Sequence, residues 1–201
     1  MNSSLSASVW WRRGIFTLFG ILFAFEGLNY IGVLSHKVDY TWFGRLFSTI
    51  AIFGILQLFD WLFHNKLSTR LPLAVWTLTG TLLLFDFIGD IFSFYTRWMW
   101  YDQVAHFLSG PLVVCSLLIT LEAVKTQARW HVPRSMIYTL ALGMSTIFAV
   151  LYEIEEYLED YFFQAHRLGD GPDTVNDLML NFLGGTALLL CVVGYRGVKR
   201  G

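Results

Sequence analysis

The chain has 201 residues, of which 55% are hydrophobic, 17% aromatic and only 14% charged, and its mean hydropathy is +0.53. Soluble domains carry about 25% charged residues, so this composition excludes an ordinary soluble globule. A net charge of -1 leaves no basic surplus for nucleic acid or for anionic lipid surfaces.

Six windows reach the length of about 20 residues that a helix needs to cross a hydrocarbon core of about 30 Å: 14–34, 42–63, 71–94, 102–124, 135–157 and 174–195. Arg12 and Arg13 ahead of the first resemble the head of a signal peptide. No small-x-small cleavage site follows and Glu26 interrupts the run, so it is kept as a span. The third span carries Asp86 and Asp90 near its end. The fourth opens on Asp102 and His106, and Gly110-Pro111 is expected to kink it. The fifth carries Glu153, Glu155 and Glu156; the sixth carries Asp173, Asp177 and Asn181, then Gly184 and Gly185. Gly110, Gly184 and Gly185 are read as points of close helix approach. Cys115 and Cys191 lie in apolar runs and are read as packing thiols. The connections are short, so residues 1–201 are expected to form a single all-α domain, a polytopic membrane protein built as a six-transmembrane-helix bundle.

Basic residues set the orientation. With the N-terminus inside, Arg12, Arg13, Lys66, Arg70, Lys125, Arg129, Arg134, Arg196, Lys199 and Arg200 lie on the inner side. Lys37, Arg45, Arg97 and Arg167 lie outside, which accounts for all 14. Both termini are therefore expected in the cytoplasm. Trp42, Trp98, Trp100, Tyr101 and Tyr157 are expected to form an outer aromatic belt, and Trp10, Trp11, Trp61 and Trp130 an inner one. On this orientation Asp86, Asp90, Asp102, His106, Glu153, Glu156, Asp173 and Asp177 share a similar depth in the outer half, with Glu26 and Asn29 somewhat deeper.

A carboxylate at the bilayer centre costs roughly 2.5–3.5 kcal/mol on insertion scales. Such groups persist where they face a protein interior, pair with one another, or bind something. Asp86/Asp90, Asp102/His106 and Asp173/Asp177/Asn181 are i, i+4 sets, each on one helix face. Glu153, Glu156 and Asp160 form another stripe, which sends Glu155 and Glu159 toward a loop or headgroup layer. Like charges so close in low dielectric need protonation or cations. Hard oxygen ligands with one imidazole suit Mg²⁺ or Mn²⁺, with Zn²⁺ also open. Asp102, His106, Glu153, Glu156, Asp173 and Asp177 are accordingly the candidate metal ligands, and His106 or Glu156 the candidate general base.

Plainer readings stand beside these. Asp102 and Asp173 suit helix N-caps, Asp90 and Asp160 suit solvated helix ends, and a hydrogen-bonded core histidine explains His106 as well as a ligand does. The turn-rich loop 166–174 puts Arg167 just before a helix N-terminus, an arrangement that suits a phosphate or carboxylate headgroup. Asp86, Asp90, Arg167 and Asn181 are the candidate substrate contacts.

The run Tyr101-Asp102-Gln103-Val104-Ala105-His106-Phe107, the element Tyr152-Glu153-Ile154-Glu155-Glu156, and Asp173-Thr174-x2-Asp177-Leu178-x2-Asn181-x2-Gly184 resemble the YjdF-like bacterial inner-membrane proteins. The resemblance spans nearly the whole chain. It implies a small multi-pass protein of the bacterial inner membrane and carries no established activity. The order Asp-x3-His-Phe, acidic helix, Asp-x3-Asn-x2-Gly is also similar to the VanZ-like proteins, which are linked to glycopeptide resistance at the cell envelope. There the acidic helix more often carries a Glu and a Gln, where this chain has Glu153, Glu155 and Glu156.

Three function classes follow. The first is a metal-assisted enzyme or metal-dependent binder acting on membrane lipid or a lipid-linked envelope substrate at the outer face. The second is a subunit whose polar network is structural or docks a partner. The third is a proton-coupled transporter. It fits less well because the acids gather on one side, with only Asp60 and Glu122 on the inner half, whereas an inverted repeat would divide them.

Overall fold

Long runs of Leu, Ile, Phe and Val leave a backbone in an apolar medium no hydrogen-bond partner but itself, and helix is how these segments satisfy it. A computed structural model describes residues 3–38, 40–169 and 171–198. Asp170, Lys199 and Arg200 of the sequence reading lie outside them. Among the described residues every regular element is helical: α1 (Ser3–Tyr30), α2 (Trp42–Leu67), α3 (Leu73–Ile91), α4 (Phe94–Arg97), α5 (Met99–Gln127), α6 (Arg134–Phe163) and α7 (Gly171–Val198).

Five of the seven, α2, α3, α5, α6 and α7, are long and apolar enough to cross a membrane. The expected first span differs. It becomes the 28-residue α1, whose apolar stretch is confined by Arg12 and Arg13 near one end and by Glu26 and Asn29 near the other, and it is not among the five. The expected third span is also shorter. It stops at Ile91, because Ser93 takes a left-handed conformation (φ 55°) before the single turn α4. α6 instead runs on past 157 to Phe163 and ends on a left-handed Gln164.

Two apolar cores hold the bundle. Phe16, Phe19, Phe23, Phe53 and Trp76 join α1, α2 and α3, with ring centroids 5.0–6.4 Å apart. Val114, Leu117, Ala141 and Leu189 join α5, α6 and α7. The outer surface stays apolar, with Ile21, Ile147 and Leu190 exposed, as a lipid-facing surface requires.

The close approach expected of Gly110, Gly184 and Gly185 is where α5 meets α7. A Cβ on Gly110 would overlap the Asn181 carbonyl oxygen and lie 2.8 Å from the Gly185 nitrogen. One on Gly184 would overlap the Phe107 carbonyl oxygen. That carbonyl is the one Pro111, lacking an N–H, cannot engage within the helix. The proline thus frees a backbone acceptor at the point where a glycine lets the next helix press against it.

The ends of the bundle differ in charge. The α1–α2, α3–α5 and α6–α7 connections share one end, called the acidic end below. At the other end Asp60 accepts from the Leu71 backbone N–H (2.9 Å) and Arg70 (2.8 Å), with Arg12 at 3.5 Å. One carboxylate there ties α1, α2 and the start of α3.

Candidate functional site

Three ionic clusters form at the acidic end, each organised by one basic side chain. Arg45 is buried on α2. Its Nη1 lies 2.8 Å from Asp86 and 3.5 Å from Asp90 on α3, and its Nε lies 3.7 Å from Glu26 on α1. Thr49 donates to Glu26 (3.1 Å) and the Tyr95 hydroxyl donates to Asp86 (2.8 Å). Burial, and then the Asp86 carboxylate, push the Tyr95 hydroxyl well above the usual tyrosine range.

The second cluster depends on how α6 ends. After left-handed Gln164 and His166 the chain doubles back. Both Asp160 oxygens fix the fold, accepting from the backbone N–H of Arg167 (2.6 Å) and Leu168 (2.9 Å). The Arg167 guanidinium is thereby turned onto α6. It meets Glu159 at 2.9 Å, Glu156 at 3.0 Å and Glu155 at 3.3 Å, donates to the Tyr152 hydroxyl, and stacks over the rings of Tyr40 and Tyr152 at 5.2 and 5.0 Å. Burial works to lower its pKa, but Tyr152, Glu156, Glu155 and Asp86 overcome this and hold it well above the usual arginine value. The Thr41 hydroxyl donates to Glu159, tying the start of α2 to the same cluster.

In the third cluster Asp102, His106 and Asp177 each present one ligand atom, and these atoms all lie within 4.8 Å of one another. His106 Nε2 is 3.4 Å from Asp102 and 3.8 Å from Asp177. Behind the ring Asn181 Nδ2 is 2.9 Å from Nδ1, and Ser109 hydrogen-bonds to Asn181 Oδ1 and donates to the His106 carbonyl (2.8 Å). Asn181 Nδ2 also donates to the Asp177 carbonyl (3.0 Å), which favours this placement of the amide and puts the proton of a neutral ring on Nε2, facing Asp102 and Asp177. A metal on Nε2 would require the amide turned over. Asp177 is 3% exposed, and its Oδ1 has no hydrogen-bond partner. A buried carboxylate oxygen without a donor is costly, and a bound cation would remove that cost.

The clusters border one cavity of about 440 Å³ between α2, α3, α5 and α6. Asp86, Tyr95, Asp102, His106, Glu156 and Arg167 line its acidic end, and mainly apolar side chains, with a few Ser and Thr hydroxyls, line the remainder.

The predicted site residues divide accordingly. Asp102, His106 and Asp177 come together, with Asn181 backing the imidazole. Glu156 is held by Arg167, and Asp173 packs over Gly169, outside the trio. Glu153 is buried beside Thr174, within electrostatic reach of His106, Asp102 and Asp173. Asp86 and Asp90 belong to Arg45, and Asp90 is fully buried rather than solvated. Asp102 lies in the first turn of α5, whose N-cap is Trp98. Glu155 and Glu159, expected to point away, face Arg167. Tyr101, expected in the aromatic belt, is buried and donates to the Phe85 carbonyl at 2.9 Å. The sequence reading missed the organising roles of Arg45 and Tyr152. The available signal was numerical: eleven acids in helices that meet at one end, with Arg45 and Arg167 among only three arginines there.

A family model described as "Predicted membrane protein (DUF2238)" matches residues 13–198. An uncharacterised protein of Thermotoga maritima is 25% identical over 122 residues, which is 60% of this chain and 60% of that protein. The chain thus spans about three fifths of the length of the curated relative it matches. No solved structure matches.

Proposed function

The chain belongs to the DUF2238 family of predicted membrane proteins, and we propose that it is a six-crossing protein of the bacterial inner membrane whose acidic end binds a divalent metal and binds or acts on a lipid-linked or cell-envelope substrate. The observation that carries this reading is the trio Asp102, His106 and Asp177, with ligand atoms within 4.8 Å and one buried Asp177 oxygen lacking a donor. Two carboxylates and an imidazole match the preferences of Mg²⁺, Mn²⁺ or Zn²⁺. A metal held there would polarise a phosphoryl or carbonyl oxygen, or lower the pKa of a bound water. Asn181 and Ser109 would orient His106, as groups behind a metal-bound histidine do. Glu156, beside the trio and held by Arg167, is the candidate proton acceptor, with His106 the alternative where no metal is bound.

The sixth crossing is α1. Its 28 residues make about 42 Å of helix, more than the core requires, and its Glu26 reaches Arg45 inside the bundle. Six crossings put both termini on one side, and the excess of basic residues at that end makes it the cytoplasmic side. The acidic end then faces outward, where envelope substrates are found. The placement in the inner membrane draws on the YjdF-like motifs, and the envelope assignment draws on the motif order shared with VanZ-like proteins.

Metal per protein, measured by elemental mass spectrometry after purification in mild detergent without chelator, tests this reading. Wild type is expected to carry stoichiometric metal and Asp177→Asn none. Asn181→Leu, which removes the backing of His106, is expected to weaken metal affinity by roughly 10–100-fold. A well-folded wild type without metal would sink the proposal. It would favour a structural or partner-docking polar network, a reading supported by the internal pairing of Arg45 and Arg167 with six carboxylates.

A further inference from the structure

We propose that the cavity between α2, α3, α5 and α6 holds one hydrocarbon chain of an amphiphile, which enters from the bilayer between α2 and α6 and leaves its headgroup at the acidic end. This rests on the metal reading only for what the headgroup meets.

The first support is how polarity is divided along the cavity. Below the level of Ser48 and Ser109 the walls are mainly apolar, with Ile52, Leu56, Leu82, Leu112, Leu117 and Phe148 among them. The hydroxyls of Thr79, Ser116, Thr120 and Ser145 interrupt them, those of Ser116 and Thr120 donating to carbonyls of their own helix. Apolar cavities stay dry rather than holding ordered water, and a small polar ligand would leave most of this one without a partner. The second is length. Along α5 the lining runs from Asp102 to Thr120, about 27 Å at 1.5 Å per residue, nearly the depth of a hydrocarbon core of about 30 Å. A chain fills that shape and a compact headgroup does not.

The third support is the seam between α2 and α6. The two helices meet at the acidic end. Gly44 leaves room for the Glu159 carboxylate, Phe43 packs on Phe163 at 4.7 Å, and Ser48 bonds to Glu155 at 3.3 Å. Further down, Ile55 on α2 and Leu151 on α6 line the cavity and are also 41% and 53% exposed. A side chain both lining the cavity and facing the outer surface marks an opening in the wall, and here that surface faces lipid. The head region carries Asp86, Asp102, Glu155 and Glu156 against Arg167 and His106. An acidic surplus of this kind suits a cationic headgroup directly and a phosphate only through a bound metal.

The test reconstitutes the full chain in phosphatidylcholine vesicles doped with a cationic long-chain amine that bears a diazirine midway along its chain, followed by irradiation and peptide mapping of the adducts. Adducts are expected on interior Leu56, Leu82 and Leu117 as well as on lipid-facing Leu190. Leu82→Trp, or Ala51→Trp at the mouth should the first fold poorly, is expected to lose the interior adducts and keep those on Leu190. Wild-type adducts confined to surface residues, or interior adducts indifferent to both tryptophans, would overturn the proposal. Interior adducts that persist in a metal-free Asp177→Asn variant keep the chain-binding proposal standing independently of the metal reading.

Discussion

Replacing Arg167 with glutamine is expected to destabilise the fold by about 3–5 kcal/mol, the cost of stranding buried charges whose partner has been removed. Its side chain is 6% exposed and meets Glu155, Glu156 and Glu159 together, so its loss leaves three neighbouring carboxylates with no cation among them. Arg167→Lys is expected to recover only part of the loss, because one ammonium cannot reproduce the planar fork that serves Glu156 through Nε and Glu159 through Nη1. Thermal unfolding of the purified protein in detergent measures both. The double variant Arg167→Gln/Glu159→Gln should be more stable than the sum of the two single losses predicts, since the second change removes a charge that the first left unpaired. Strict additivity would show that Arg167 does not act through these acids.

The second large effect is expected where α5 meets α7. Gly184→Val and Gly110→Val should each reach or exceed the upper end of the roughly 1–3 kcal/mol typical of overpacked sites. The overlap is with the carbonyl oxygens of Phe107 and Asn181 rather than with a side chain free to turn away. Gly194→Ala on the same helix is the control. A Cβ there meets nothing within 4 Å, and helix propensity favours alanine by about 1 kcal/mol. Separation of the helices would also draw Asp177 and Asn181 from His106, so on the proposed metal site both valine variants should hold the ion less well at temperatures where they remain folded. Wild-type unfolding midpoints in both would rule out the close contact.

The helices were legible wherever hydrophobicity alone builds them. The start of α2 at Trp42 and the main course of α5, α6 and α7 follow the predicted windows closely. The i, i+4 pair Asp102/His106 and the pair Asp177/Asn181 could be read from spacing, and their meeting across two helices follows from glycines that were equally visible. The Arg167 cluster was not legible. Spacing on α6 separates Glu153 and Glu156 from Glu155 and Glu159, yet the stripe that matters is chosen by an arginine arriving from beyond the helix end. Its direction depends on left-handed Gln164 and His166 and on the grip of Asp160, and neither residue type announces that turn. Arg45 was counted as an outer basic residue for a related reason: its partners Glu26, Asp86 and Asp90 lie on two other helices.

The short loop that returns Arg167 to α6 also bears on how the chain is made. During synthesis α6 emerges carrying Glu153, Glu155, Glu156 and Glu159, while the cation that serves three of them follows eight residues after the last. A nascent chain halted before that arginine would present the bilayer with an acid-rich segment and no counter-ion from its own loop. Stable integration of α6 therefore waits for the hairpin turn, and α6 with the loop behind it enters the membrane as one unit.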